Sequence, residues 1–116
     1  MWPMSQRQVT AMTVDDFETA LVSADPDVTK WTGTGNGNYT VWSPANLTEG
    51  LDSDDGREED DQRIHVDRFT RADPDAIVAS ITAIFRSNFV PFEYESIYEK
   101  DTGYIHHSWT CILTST

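Results

Sequence analysis

Residues 73–88 read DPDAIVASITAIFRSN, and this stretch decides the fold class. Asp73 is the expected helix N-cap, Pro74 the first helical residue, and Asp75 an acid where it meets the positive end of the helix dipole. Ile77, Val78, Ile81, Ile84 and Phe85 recur at helical spacing and form one broad apolar stripe. Asn88 can cap the far end, and Pro91 forbids continuation. A helix with one apolar face needs a second layer to bury it.

The flanks supply that layer. Downstream, residues 92–99 alternate aromatic with mostly acidic side chains, Lys100-Asp101-Thr102-Gly103 forms a turn, and residues 104–113 return as a strand. Ile105, His107, Trp109, Cys111 and Leu113 share one face of that strand; Tyr104, His106, Ser108, Thr110 and Ile112 share the other. Upstream, residues 63–70 alternate as well, with Ile64 and Val66 on one side and Arg63, His65 and Asp67 on the other. Further back, Thr13 is an N-cap ahead of a second amphipathic helix (Val14, Phe17, Leu21), with Met12 and Phe17 placed as a hydrophobic staple, and Asp25-Pro26 ends it. Residues 28–32 and 39–43 are strand-like. The Gly33–Asn38 stretch between them predicts a hairpin turn, and Pro44 a strand stop. Residues 6–11 are a further short strand, and residues 1–5 are loose.

The expected architecture is a single α+β domain over residues 1–116. Two helices pack on one face of a mainly antiparallel sheet of four to five strands, a two-layer sandwich. The leading topology is ferredoxin-like with an added C-terminal edge strand. At 116 residues such a chain buries a sufficient core without staples, and its single Cys111 allows no internal disulfide.

Charge speaks about the solvent. Acidic residues number 20 against 8 basic ones, for a net charge of −12. In dilute buffer that repulsion opposes the compact state. At molar salt the Debye length falls to about 3 Å, and hydrated carboxylates then keep the protein dispersed. The profile resembles cytosolic proteins of extreme halophiles, so a soluble, cytoplasmic protein is expected. No apolar run approaches membrane-spanning length, and no export signal is visible. Without such a signal, the glycosylation triplets at Asn38 and Asn46 read as chance. Eight scattered basic residues make no phosphate-binding patch, so direct nucleic-acid binding is excluded. A decoy of a nucleic-acid-binding protein fits the charge as an alternative.

No motif carries a reaction. Gly33–Asn38 leads into a strand rather than a helix N-terminus, so it is a turn and not a phosphate loop. Residues 44–62 predict a mobile acidic loop. Its Asp52, Asp54, Asp55, Glu58, Glu59, Asp60 and Asp61 fit weak, unselective cation binding, because only Asp55 matches an EF-hand position. His107 and Cys111 are about 13 Å apart along one strand, too far for one zinc ion. A metal or catalytic site would need His65 and His106 on neighbouring strands, with Asp67, Glu93 or Glu95, and Ser108 as a hydroxyl. That small enzyme or metal-binding domain is the second reading; no cofactor is expected.

The first reading is a binding or assembly module. One helix layer covers one sheet face, so some aromatics must stand on the bare one. The candidate contact residues are Tyr39, Trp42, His65, Tyr94, Tyr98, Tyr104 and His106, serving a protein partner or self-association.

Overall fold

The computed structural model describes residues 12–35, 37–45 and 61–114. The expected strand at 6–11, Asn46 and the acids from Asp52 to Asp60 lie outside the described residues. Asp61 does not belong to a loop. It opens a strand, half-buried and paired with Thr114.

Two helices and five strands follow in the order α1 (Val14–Ala24), β1 (Thr29–Lys30), β2 (Tyr39–Ala45), β3 (Asp61–Thr70), α2 (Ala76–Ser87), β4 (Phe92–Tyr98) and β5 (Ile105–Thr114). The strands form one mixed sheet in the order β1-β2-β3-β5-β4. The helices lie on one face of it, which makes the expected two-layer α+β sandwich.

Local chemistry explains the helix ends. The Thr13 hydroxyl accepts from the Asp16 N–H at 3.1 Å, while the Asp16 carboxylate accepts from the Thr13 N–H at 3.2 Å. This reciprocal box satisfies two amides that the first turn leaves over. Helix α2 starts two residues later than its sequence suggests. Its N-cap is Asp75, whose Oδ1 accepts from the Ile77 N–H at 3.0 Å. Asp73 and Pro74, joined by a cis peptide, stand outside the helix. The reason is tertiary: Oδ2 of Asp75 is held by the Arg68 Nε at 2.9 Å, which fixes that carboxylate at the helix start. At the far end the Asn88 side chain donates to the Ile84 carbonyl at 2.8 Å, as expected.

The first strand pair departs from expectation. Strand β1 runs parallel to β2, with Thr29 beside Val41 and Lys30 beside Trp42. Trp31 adopts φ 78°, which turns the chain out of line before the glycines are reached. Gly35 and Gly37, at φ 77° and 61°, then bring it back in the same direction. Because β1 contributes only two residues, this short return loop suffices where a hairpin was expected. Pro44 does not stop β2 either; it pairs with Ile64. The Trp42 carbonyl points outward to accept the Trp31 N–H at 2.8 Å, so two residues on the Pro44 nitrogen also points outward. β1 ends before that point, and a missing N–H there breaks no ladder bond.

The C-terminal strand is interior, not the edge. β5 lies between β3 and β4, and β4 is the edge among the described residues. Apolar content decides the placement. Trp109, Cys111 and Leu113 of β5 are buried, whereas β4 is exposed at every position after Phe92. Strands β3 and β4 therefore run parallel with β5 between them and α2 as the crossover.

The core joins Phe17 and Leu21 of α1, Ile81 and Phe85 of α2, and Trp42, Ile64, Val66 and Trp109 of the sheet. Phe17 stacks on Phe85 at 5.4 Å between ring centroids, and Phe85 on Phe92 at 4.9 Å. The Trp109 indole N–H donates to Thr82 at 3.1 Å, which satisfies its one polar group. One charged group sits in this layer. Arg68, 5% exposed, donates to Asp75, to Thr40 at 3.2 Å and to Asp25 at 3.5 Å. Asp25 caps the end of α1 and Asp75 the start of α2. A single guanidinium thus ties both helices to β3.

Candidate functional site

The sheet face away from the helices is built in rows by the strand register. The first row crosses four strands as Tyr39, Phe69, His106 and Ile97. The second is Val41, Asp67, Ser108 and Glu95; the third is Ser43, His65, Thr110 and Glu93. A fourth holds Ala45, Arg63 and Ile112. Aromatic groups gather at one end of the face and polar groups at the other.

The aromatic end is a continuous stack. Tyr39 lies on Phe69 at 4.9 Å, and Phe69 on the His106 ring at 4.1 Å. Tyr104 closes the group edge-on to both Tyr39 and Phe69, donates its hydroxyl to the Gly37 carbonyl, and is covered by the Arg71 guanidinium at 3.9 Å. A Cβ on Gly33 would lie 2.3 Å from the Tyr39 ring, so glycine at that position makes room for this stack. Burial first, then the nearby Tyr104, Glu99 and Asp67 charges, raise the pKa of the Tyr39 phenol, which keeps it neutral.

His106 sits between two carboxylates. Its Nε2 is 2.8 Å from Asp67 and its Nδ1 is 3.7 Å from Glu99. The Asp67 contact is a hydrogen bond, whereas Glu99 stands beyond hydrogen-bond distance of Nδ1 and faces it as a neighbouring carboxylate. His65 lies elsewhere. It stands opposite Thr110, its Nδ1 3.0 Å from the Thr110 hydroxyl, while His106 stands opposite Phe69. The two histidines are on neighbouring strands, as the alternative site required, but four residues apart in register, and one metal ion cannot span that distance. Among the described residues no cluster of three His, Cys, Asp or Glu side chains can hold a metal.

The polar end contains a shallow groove of about 600 Å³. Arg63, His65, Glu93, Thr110 and Ile112 line it from the open face, with Pro91 and Phe92 at the rim. Ile112 is 51% exposed there, an aliphatic side chain beside converging polar groups.

The seven contact candidates therefore separate. Tyr39, His65, Tyr104 and His106 are on the open face, but Tyr104 is buried there beneath Arg71 and is no more available as an anchor than a core residue. Trp42 is not on that face: it is 2% exposed, packed edge-on against Phe17 on the helix side, and unavailable as an anchor. Tyr94 and Tyr98 stand on the helix side of β4, but α2 does not extend over them, and both are exposed. Tyr94 holds the Nδ1 of His107 through its hydroxyl at 2.7 Å. Burial lowers the His107 pKa, with His106 and Arg68 adding to the effect and Asp75 and Asp73 opposing it. Cys111 is buried, and burial pushes its thiol up to about 12, consistent with a core role. Sequence reasoning missed Phe69, although its odd-numbered position groups it with His65 and Asp67. It also missed Ile112 and Arg63 as groove residues, since only register brings them together with Glu93.

This geometry defines a two-layer domain with one sealed and one sculpted sheet face. Comparison with known proteins gives no match to a family model, to a curated protein or to a solved structure. No helix among the described residues is long and apolar enough to cross a membrane.

Proposed function

We propose that this chain is a non-enzymatic binding module of the cytoplasm of a halophile, and that it receives a protein partner on its uncovered sheet face. The single observation that supports it most is the shape of that face. A ladder of aromatic groups ends in the exposed Ile97, and a separate groove presents Ile112 among Arg63, His65, Glu93 and Thr110. Exposed apolar groups rimmed by polar ones are the ordinary makeup of a contact surface. The chemistry of catalysis is poorly served by the same residues. The Asp67–His106 pair has Glu99 rather than a hydroxyl facing its other nitrogen, and the histidine that does meet a hydroxyl, His65 at Thr110, stands four residues away from that pair in register. The surplus of carboxylates belongs to the solvent: twelve net negative charges are tolerable where salt screens them.

A photoactivatable residue placed at Ile112 tests the reading in cells of the producing organism at their own salt concentration. A discrete protein adduct is expected from Ile112 and none from Val22, an exposed apolar position on α1. Equal labelling at both positions, or none at either, overturns the proposal.

A further inference from the structure

We infer that β4 pairs with β4 of a second copy across a two-fold axis at Ser96, joining two five-stranded sheets into one of ten strands. This goes beyond the open-face reading and uses a different part of the molecule, the sheet edge.

The argument begins with the edge itself. Among the described residues the sheet ends in β1, two residues long, and in β4, seven residues long. Of these two described edges, only β4 offers a row of backbone groups long enough to pair with. A molecule with one usable edge can pair by that edge once, so the assembly closes at two and makes no fibre.

Backbone direction then fixes which residues face outward. The Glu99 N–H donates to the Tyr104 carbonyl at 2.8 Å, so Glu99 turns inward to the β5 side. The pairing of β4 with β5 runs unbroken from Phe92 to Tyr98. Alternation therefore aims the N–H and C=O of Tyr94, Ser96 and Tyr98 away from the sheet. With the axis at Ser96, Tyr94 of each copy stands opposite Tyr98 of the other, and Ser96 opposite Ser96. Three hydrogen-bonded residue pairs form, supplying six N–H···O bonds.

Side chains agree with that register. Tyr94, Ile97 and Tyr98 are 44%, 53% and 62% exposed, three of the seven large exposed hydrophobic residues among those described. The register places the tyrosines in two cross-strand aromatic pairs and sets each Ile97 beside the aliphatic stem of a Glu95. Ser96 is small enough to meet its own copy on the axis. The opposition is electrostatic: each copy carries a net charge of −12, and Glu93 comes opposite Glu99 on both flanks. Like charges so placed separate the copies in dilute buffer and lose most of that effect at molar salt. A seven-residue edge lies at the small end of specific interfaces, which makes the dimer reversible.

Sedimentation equilibrium of the full chain, in dilute and in molar potassium chloride, is expected to show a monomer–dimer equilibrium. Its dissociation constant should tighten by about tenfold or more with salt, because two like-charge pairs are relieved. Amide exchange followed by NMR gives the second readout. The Tyr94, Ser96 and Tyr98 amides should slow in step with dimerisation, while Glu93, Glu95 and Ile97 stay protected throughout. Ser96→Pro removes an outward N–H and leaves the bonds to β5 intact. It should abolish the dimer and keep the circular dichroism of the fold. A monomer at every concentration in molar salt overturns the inference, and so does a dimer in which those three amides exchange as fast as in the monomer. Dimerisation lost in Ser96→Pro while crosslinking from Ile112 persists separates this edge from the open-face surface; crosslinking lost while the dimer persists refutes the open-face reading alone.

Discussion

Replacing Arg68 by methionine removes a charge and keeps the length of the side chain. In the native fold that guanidinium is 5% exposed and serves three acceptors: Asp75 at 2.9 Å, Thr40 at 3.2 Å and Asp25 at 3.5 Å. Asp25 itself is 4% exposed. Methionine therefore leaves two carboxylates in the layer between sheet and helices with no cation. Removing one partner of a buried pair costs about 3–5 kcal/mol, mostly as the penalty on the charge left behind. At roughly 3–6 °C per kcal/mol for a domain of this size, the melting temperature should fall by about 10–25 °C. Thermal unfolding followed by circular dichroism in molar salt measures it. The pH dependence identifies the cause. Burial works to raise the Asp75 pKa, but hydrogen bonds from Thr70, Arg68 and the Ile77 N–H, with the Arg68 charge, outweigh it and lower the value. In the native protein Asp75 thus contributes stability above the ordinary Asp pKa of about 3.9, and that contribution is lost as pH falls through the lowered value. In Arg68→Met the hydrogen bond and the charge by which Arg68 holds the Asp75 pKa down are gone while burial still works to raise it, so the deficit is large at neutrality and shrinks as pH falls through the lowered native value, where Asp75 is protonated in either protein. Adding Asp25→Asn and Asp75→Asn to that variant should restore most of the loss. A deficit under about 1 kcal/mol at neutral pH, or one independent of pH, would refute the clasp.

Two further expectations concern single side chains. The His107 pKa is lowered by burial, so protonation opposes the fold; stability is present above the ordinary histidine value of about 6.5 and falls as pH drops through the lowered one. His107→Asn should flatten the melting temperature between about pH 7 and 5, a window above that of Asp75, and an unchanged slope would exclude His107 as its source. Cys111, with its thiol pushed up to about 12, should resist iodoacetamide at pH 8 in the folded protein and react once urea unfolds it. Stoichiometric alkylation of the native chain by mass spectrometry would contradict its burial.

The helices were legible in the sequence because their information is local. Thr13 and Asp16 bond to each other three residues apart, and the Ile81 and Phe85 spacing needs no knowledge of the sheet. The start of α2 was misread for the opposite reason. Asp73-Pro74 and Asp75 are equally good local starts, and the choice is made by Arg68, five residues upstream of Asp73 and on another element. Strand faces were legible as well: residues 105–114 bury Trp109, Cys111 and Leu113 as alternation requires. Strand order was not, since it depends on which strand can afford to be wet. The acids of β4 hold that answer, but only in comparison with β5.

The open face was legible as a set of residues and illegible as a surface. Alternation puts His65, Asp67 and Phe69 on one side of β3, yet it cannot say that Phe69 meets Tyr39 and His106 while His65 meets Thr110. Register decides that, and a shift of two residues would bring the histidines into a different relation without moving any side chain to the other face. Arg68 carried the missed signal. It is a cation on the apolar parity of Ile64 and Val66, where a charge needs a partner before it can be buried.

The edge strand and the salt argument constrain each other. A strand reading FEYESIY has the aromatic and β-branched content that invites pairing, and its glutamates oppose it in dilute solution. In concentrated salt that protection weakens, because charge acts over about 3 Å, whereas backbone hydrogen bonds and aromatic burial are little affected. On the proposal that this chain works in concentrated salt, it cannot rely on glutamate alone to keep an edge apart. It must blunt the edge in another way or use it. On the far side the sheet is blunted by shortening, with β1 reduced to two residues. At β4 no such device is visible among the described residues: the strand is seven residues long, uninterrupted in register and free of proline. The two edges of one sheet have been treated differently, and the difference follows if the long one is a contact and the short one is not.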